Sequence, residues 1–386
     1  MERTVAIIGA GPIGLAAAVS AKRRGFVPIV FEVGATPGAG LVRFGPTRFF
    51  SPLAMNLPEG LASLAREQLG AAMPPDDALL TGPQMADLLA AVARSPTLAS
   101  HVHCNHRVVR VTRGTLSRGQ HAGHPVRAEL PFRVTVSTPE GEHTSEVDAV
   151  LDASGTYGTP IPLPGANASA VRDPIRDLGA LDAQRAELAG RRILLVGHGH
   201  SAANALGVFA ALAARAPSTR VVFAARSRNL RPFEVVPSDP LPERARVVTD
   251  ANTLVSKPPE WLRVERNAMI LDMTKTPTAV VVSLGAGRDV EIDRVVALLG
   301  YRPDLAPLSE LPLEIAPATE GAGRLAHALA NVTDCLTPPK VMPADLASGE
   351  PRFHMVGAKS YGRARTFLLR TGYGQLETIL DGLFDA

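Results

Sequence analysis

The chain opens on Thr4-Val5-Ala6-Ile7-Ile8, a continuous apolar run of the kind shown by a strand buried on both faces. Gly9-Ala10-Gly11-Pro12-Ile13-Gly14 follows without a break. Residues 15–24 are Ala-rich and read as a helix ended by Gly25, and 27–31 is apolar again with Glu32 at its tip. One strand–turn–helix–strand unit is therefore complete within 32 residues. The pattern returns at Arg191, with a strand over 192–196, the turn Gly197-His198-Gly199-His200-Ser201-Ala202, a helix over 203–215 and a strand over 220–224. The two turns lie 188 residues apart, and this duplication organises the chain.

The remaining segments read more simply. Residues 33–58 are dense in Gly, Pro and aromatic side chains and read as a loop. Thr81 is placed to cap a helix over 84–94. Strands are expected over 107–112, 132–137 and 148–152, with the polar stretch 114–131 as a surface hairpin connection. Three Pro and three Gly in 153–165 mark a crossing between domains. Residues 229–259 are Pro-rich and read as irregular; strand pattern resumes over 278–284, 294–299 and 353–356, and a final helix is expected over 375–384.

Each glycine of G-x-G-x-x-G removes a side chain that would obstruct something. Gly9 permits the tight turn, Gly11 lets backbone approach a pyrophosphate, and Gly14 lets helix pack on strand, with Pro12 among the residues of this cofactor turn. The helix N-terminus then presents N–H groups and a positive dipole end to phosphate. Glu32, 23 residues after Gly9, is placed to accept from a ribose 2′-OH. The second turn keeps Gly197 and Gly199 but has Ala202 third, and its strand leads into Arg226-Ser227-Arg228 instead of an acid. Guanidinium forks there suit an adenosine 2′-phosphate, so NADPH is expected over NADH; the alternative is that Arg226 and Arg228 form a solvated face. His200 and Ser201 open the second helix, where they either meet phosphate or are ordinary first-turn residues.

Composition bounds the partners. Apolar residues are 46% and charged residues 20%, and 34 Gly with 33 Pro follow no period, so the chain is neither disordered nor collagenous. Forty basic against 37 acidic residues, with no Lys/Arg run, give no nucleic-acid footprint. No apolar run reaches the ~18 residues of a membrane span, and a strand beginning at Thr4 leaves no room for a signal peptide. Cys104 and Cys335 include no C-x-x-C and cannot build a disulfide framework. A cytoplasmic, reduced protein is expected, with no membrane or nucleic-acid partner. His101, His103, Cys104 and His106 form a cluster, but strand alternation would divide it between two faces, so no metal is expected.

Two dinucleotide units in one chain resemble the two-domain FAD/NAD(P)H flavoproteins, the group of thioredoxin reductases and class B flavin monooxygenases. Asp152-Ala153-Ser154-Gly155-Thr156-Tyr157-Gly158-Thr159-Pro160 is similar to their A-T-G-x-x-x-x-P linker. Leu299-Gly300-Tyr301-Arg302-Pro303-Asp304 is similar to their re-entry turn, and Val356-Gly357-Ala358-Lys359 occupies the place of the G-D segment beside the flavin ribityl chain. Arg48-Phe49-Phe50-Ser51-Pro52, Gly199-His200-Ser201-Ala202-Ala203-Asn204 and Lys359-Ser360-Tyr361-Gly362 further resemble bacterial flavoproteins encoded near arsenic-resistance genes.

The resemblance implies an α/β fold of two Rossmann-like domains. Residues 1–165 and 295–386 would form a discontinuous FAD domain, with 166–294 inserted as the NADPH domain. It implies FAD contacts at Ser51, Val108, Ser154, Gly155 and Gly357, and a last helix near Thr371 aimed at flavin N1, although a plain docking helix fits as well. Asn56 is a candidate to hydrogen-bond an oxygenated flavin, or else an ordinary turn residue. The activity implied is an FAD- and NADPH-dependent oxidoreductase on a small-molecule substrate. The expected use of molecular oxygen is oxygenation, through a C4a-hydroperoxyflavin, of a soft N, S or As nucleophile; the alternative is a reductase passing electrons to a disulfide, quinone or protein. Ala358 replaces the expected Asp, and the absent C-x-x-C excludes thioredoxin-reductase dithiol chemistry. A homodimer stays open.

Overall fold

In the computed structural model, which describes residues 2–332 and 335–384, the chain divides into two units. The first comprises Met1–Val42, Pro52–Thr159 and Tyr301–Ala386, the second Arg43–Ser51 and Pro160–Gly300.

In the first unit the opening apolar run forms the strand Thr4–Ile8 at the centre of a five-stranded parallel sheet. Val27–Phe31 and then Val102–His103 lie on one side of it; Ala149–Asp152 and then Phe353–Met355 lie on the other. Val5, Ala6 and Ile7 are fully buried, as a strand covered on both faces requires. The helix Pro12–Arg23 starts with Pro at N1, and its residues 12–21 are all buried; its small Ala side chains let it lie close to the sheet. A separate antiparallel sheet joins Arg107–Arg113, Phe132–Thr138 and Gly141–Val147.

The second unit repeats the theme. Arg192–Val196 pairs in parallel with Arg220–Ala225 and with Arg294–Ala297, and Leu262–Arg266 completes the sheet beyond Arg220–Ala225. The helix His200–Arg215 covers it through Ala202, Leu206 and Phe209. A three-stranded antiparallel sheet (Asp272–Lys275, Val280–Ser283, Asp289–Ile292) has its own apolar cluster with Met273 and Val282.

Several elements differ from expectation. The second unit continues to Gly300, beyond 294, because Arg294–Ala297 pairs with Arg192–Val196. Segment 229–259 contains the helix Pro242–Ser256: Pro242 occupies N1, where its missing N–H costs nothing, so here Pro starts a helix. The capped helix runs over Gly82–Ala93, with Thr81 and Gln84 in a reciprocal capping box. The last helix, Leu369–Asp381, starts six residues before 375 because Gly372 and Gly374 are helical. The 114–131 connection is not purely superficial: Arg127 is fully buried there, and Glu350 accepts from both Arg127 and the equally buried Arg113. Residues 43–51 group with the second unit, with Gly45 (φ +58°) pressed against the backbone of Leu178 and Gly179.

Candidate functional site

The first glycine turn lies at the carboxyl end of Thr4–Ile8, where the sheet order reverses between Val27–Phe31 and Ala149–Asp152; open α/β sheets bind ligands at such a switch point. Gly9 has φ +98°, and a Cβ there would lie 2.9 Å from Ala153 O and Ser154 Cα. A Cβ at Gly14 would collide with the Gly9 carbonyl. Gly11 is the opposite case, with nothing within 4 Å of where its Cβ would go. The turn is closed by backbone on two sides and open on the one from which a phosphate would approach. Gly11 N-caps the helix with no side-chain cap among the described residues, which leaves its N–H groups for a ligand to meet. Glu32 is buried; its Oε2 accepts from Ala10 N (2.7 Å) and its Oε1 from Gly34 N (2.7 Å), and each oxygen keeps a second lone pair for a ribose hydroxyl.

The second turn has the same shape. Gly197 has φ +131° and a Cβ there would collide with Leu298 O, while Gly199 has nothing within 4 Å. Gly199 N-caps the helix without a side-chain cap, and His200 and Ser201 are its exposed first residues. Arg226 follows directly on Arg220–Ala225, is exposed, and lies 3.5 Å from His198 Nδ1 through its guanidinium. Arg228 is also exposed, donating through Nε to Asn267 Oδ1 (3.3 Å). The Phe50 ring meets the His200 imidazole edge-on at 5.2 Å and packs against the core of this unit. Arg244 hydrogen-bonds Asp239 and holds its carboxyl below the usual range, with His200 adding a smaller pull.

Beside the first turn, Ser154 donates through N (3.1 Å) and Oγ (2.6 Å) to Asp152 Oδ1. Lys359, in the Lys359-Ser360-Tyr361-Gly362 motif, is only 2% exposed. Its Nζ reaches Asp152 Oδ2 (2.7 Å), Ser154 Oγ (2.9 Å) and Asp304 O (2.8 Å). Gln375 was also missed: its Oε1 accepts from Gly357 N (2.9 Å) and its Nε2 donates to Ser360 Oγ (3.0 Å). Gly357 (φ +65°) and Gly372 both leave room for Ile13, so the last helix and the Gly357 segment lie against the start of the first helix.

The other candidates separate. Val108 is buried in the antiparallel sheet, beside a register shift between Val108 and Arg110. Gly155 has φ +68° and follows Ser154. Asn56 is buried at the end of the short helix Leu53–Asn56, and its carbonyl accepts from Tyr373 OH (2.7 Å). Ser51 is buried and belongs to the second unit. Phe44 and Phe49 stack on each other at 5.1 Å, whereas Tyr361 belongs to the first unit, edge-on to Phe367.

Residues 101–106 do not alternate between two faces as a continuous strand would, because the strand ends at His103 and Asn105 takes φ 58°. The rings of His103 and His106 come within 5.5 Å, and His143 lies 5.7 Å from His106. Burial, reinforced by these imidazoles, lowers the His103 pKa, and burial plus the Glu32 charge raises the Cys104 thiol.

A family model of pyridine nucleotide-disulphide oxidoreductases matches residues 3–322. The chain belongs to this family. Its resemblance to the two-domain FAD/NAD(P)H flavoproteins therefore holds, as does the α/β architecture of two dinucleotide-binding units. Among solved structures, the bacillithiol disulfide reductase of Bacillus cereus is similar at 19% identity, covering 99% of each chain with a TM-score of 0.69. A flavin monooxygenase variant from Stenotrophomonas maltophilia is 20% identical, covering 99% of this chain and 98% of its own (TM-score 0.65). The ornithine N-hydroxylase of Kutzneria sp. 744 is 17% identical, covering 99% of each chain (TM-score 0.64). No curated protein sequence matches. The shared fold thus serves both reductases and oxygenases. Among the described residues no helix is long and apolar enough to cross a membrane.

Proposed function

We propose that this oxidoreductase binds FAD at the first turn and NADPH at the second, and uses the reduced flavin with molecular oxygen to oxygenate a soft nitrogen, sulfur or arsenic nucleophile, one oxygen atom going to the substrate and the other to water. The observation that carries the cofactor assignment is the paired geometry of the turns: Gly11 and Gly199 open to the outside, Gly9, Gly14 and Gly197 closed by backbone. A phosphate fits where no Cβ projects, against uncapped helix N-termini. Glu32 selects a ribose hydroxyl at the first turn, and Arg226 and Arg228 select a 2′-phosphate at the second.

FAD, when bound, would supply the redox chemistry that the side chains cannot. This chain's residues bind and orient. Ser154, whose Cα lies beside Gly9, would line the FAD cradle with Gly155 and Gly357, Val108 would take the adenine edge, His200 and Ser201 would meet the NADPH phosphates at the start of their helix, and Asn56 and Ser51 are the candidates near the flavin. The cysteines count against a thiol relay between flavin and substrate, and on that ground we prefer oxygenation to thiol-mediated disulfide reduction. No disulfide joins them, neither lies in a glycine turn or the Gly357 segment, and the raised Cys104 thiol makes a poor thiolate.

The test is anaerobic reduction of the purified protein by NADPH, followed by mixing with oxygenated buffer while spectra are recorded. A transient absorbing at roughly 370–390 nm before oxidised flavin returns is expected, a property of the cofactor. Direct reoxidation would favour the reductase, and protein that neither carries nor takes up FAD would overturn both.

A further inference from the structure

Lys359 is a buried cation whose three ammonium protons all have protein acceptors: Asp152 Oδ2, Ser154 Oγ and the carbonyl of Asp304. No proton is left for a ligand, so its role is exercised through those partners. Asp152, 1% exposed, is tied in turn to Ser154 through both N and Oγ. The segment held in this way is the one that presses on the first turn, with Ala153 O and Ser154 Cα each 2.9 Å from where a Cβ on Gly9 would stand. Gly9 and Ala153–Gly155 therefore form the two walls of one cradle, and the ammonium fixes the second wall.

We propose that Lys359 is a positioning residue for the first dinucleotide site, holding Ala153–Gly155 against the Gly9 turn through Ser154 and Asp152. This rests on FAD occupying that turn. A basic residue next to Ala358 thus organises the cradle from behind, at the place in the chain where the flavoprotein motif carries an Asp.

Replacing Lys359 alone would strand a buried carboxylate, which by itself can prevent folding. The informative variant is Asp152→Asn with Lys359→Met, which leaves no net buried charge; Ser154→Ala, removing only the grip on the linker, is the milder companion. Two readouts are taken on apoprotein: FAD affinity by titration, and amide hydrogen exchange. FAD affinity is expected to fall about tenfold to a hundredfold in the double variant, the usual range when a group that orients a binding residue is lost, and by a smaller factor in Ser154→Ala. Exchange at 153–157 should rise in both while 192–196 stays protected. Wild-type affinity with unchanged exchange at 153–157 in both variants would reduce Lys359 to an internal ion pair and overturn the proposal. Gly11→Ala is the control for the underlying assignment. If it binds FAD normally, the first turn is not the FAD seat, and the exchange result, which needs no FAD, still decides whether Lys359 holds the linker.

Discussion

The two glycine turns share a backbone and differ at the tip of the following strand. In the first unit a buried carboxylate, Glu32, is built into the turn by hydrogen bonds from Ala10 and Gly34. In the second, two exposed guanidiniums, Arg226 and Arg228, stand at the corresponding place, where they reach His198 Nδ1 (3.5 Å) and Asn267 Oδ1 (3.3 Å). The acid is part of the fold; the bases are available to a ligand. One motif thus yields a turn whose tip acid is tied into the backbone, and another whose tip bases can change without disturbing it.

The strongest way to break this comparison is at the glycines. Gly14→Ala, which drives a methyl into the Gly9 carbonyl, should cost about 3 kcal/mol or more, read from thermal or denaturant unfolding of the apoprotein. Gly11→Ala meets no atom within 4 Å; its apoprotein should stay within about 1 kcal/mol of wild type, yet its methyl enters the phosphate approach and FAD uptake should fall sharply. Equal stability losses in the two variants would show that the turn is not open on the Gly11 side.

Glu32→Gln comes next. It sets an amide NH2 against one of two backbone donors and should cost about 2–3 kcal/mol of apoprotein stability, together with weaker FAD binding. Arg226→Ala sharpens the contrast: NADPH affinity should drop about tenfold to a hundredfold, as for a lost charge-assisted hydrogen bond, while NADH affinity and melting temperature barely move. If NADH binding fell equally, Arg226 would not read the 2′-phosphate. The smallest effect belongs to Asp293, whose hydrogen bond from Arg192 holds its carboxyl below the usual value. A carboxyl that titrates lower when folded stabilises above its unfolded pKa and loses that contribution as pH falls through the folded one. The pair is partly exposed, so Asp293→Asn should cost under ~1 kcal/mol at neutral pH and flatten the acid limb of the stability curve.

Much of this was legible in the chain. Both strand–turn–helix–strand units, the open middle glycines and the charge reversal from Glu32 to Arg226 are local patterns, written in fewer than 40 consecutive residues each. The helix Pro242–Ser256 was hidden because Pro reads as a breaker unless its position within the first turn is known. The Lys359–Ser154 bond spans 205 residues of sequence and the Arg113–Glu350 pair 237. No periodicity announces such pairs, since burial alone makes a lysine or arginine seek whichever acceptor the fold delivers. The His103–His106 proximity was missed for a simpler reason: one left-handed residue, Asn105, ended the alternation.

The excursion of residues 43–51 has a practical consequence. The chain passes between the units four times, at 42/43, 51/52, 159/160 and 300/301. A gene fragment covering only 160–300 would lack Phe50 and leave part of its apolar core wet, with Leu178 and Gly179 stripped of the Gly45 turn. Neither unit is a cassette that can be lifted out at its obvious ends, so anyone dissecting, fusing or circularly permuting this protein has to carry that nine-residue stitch along.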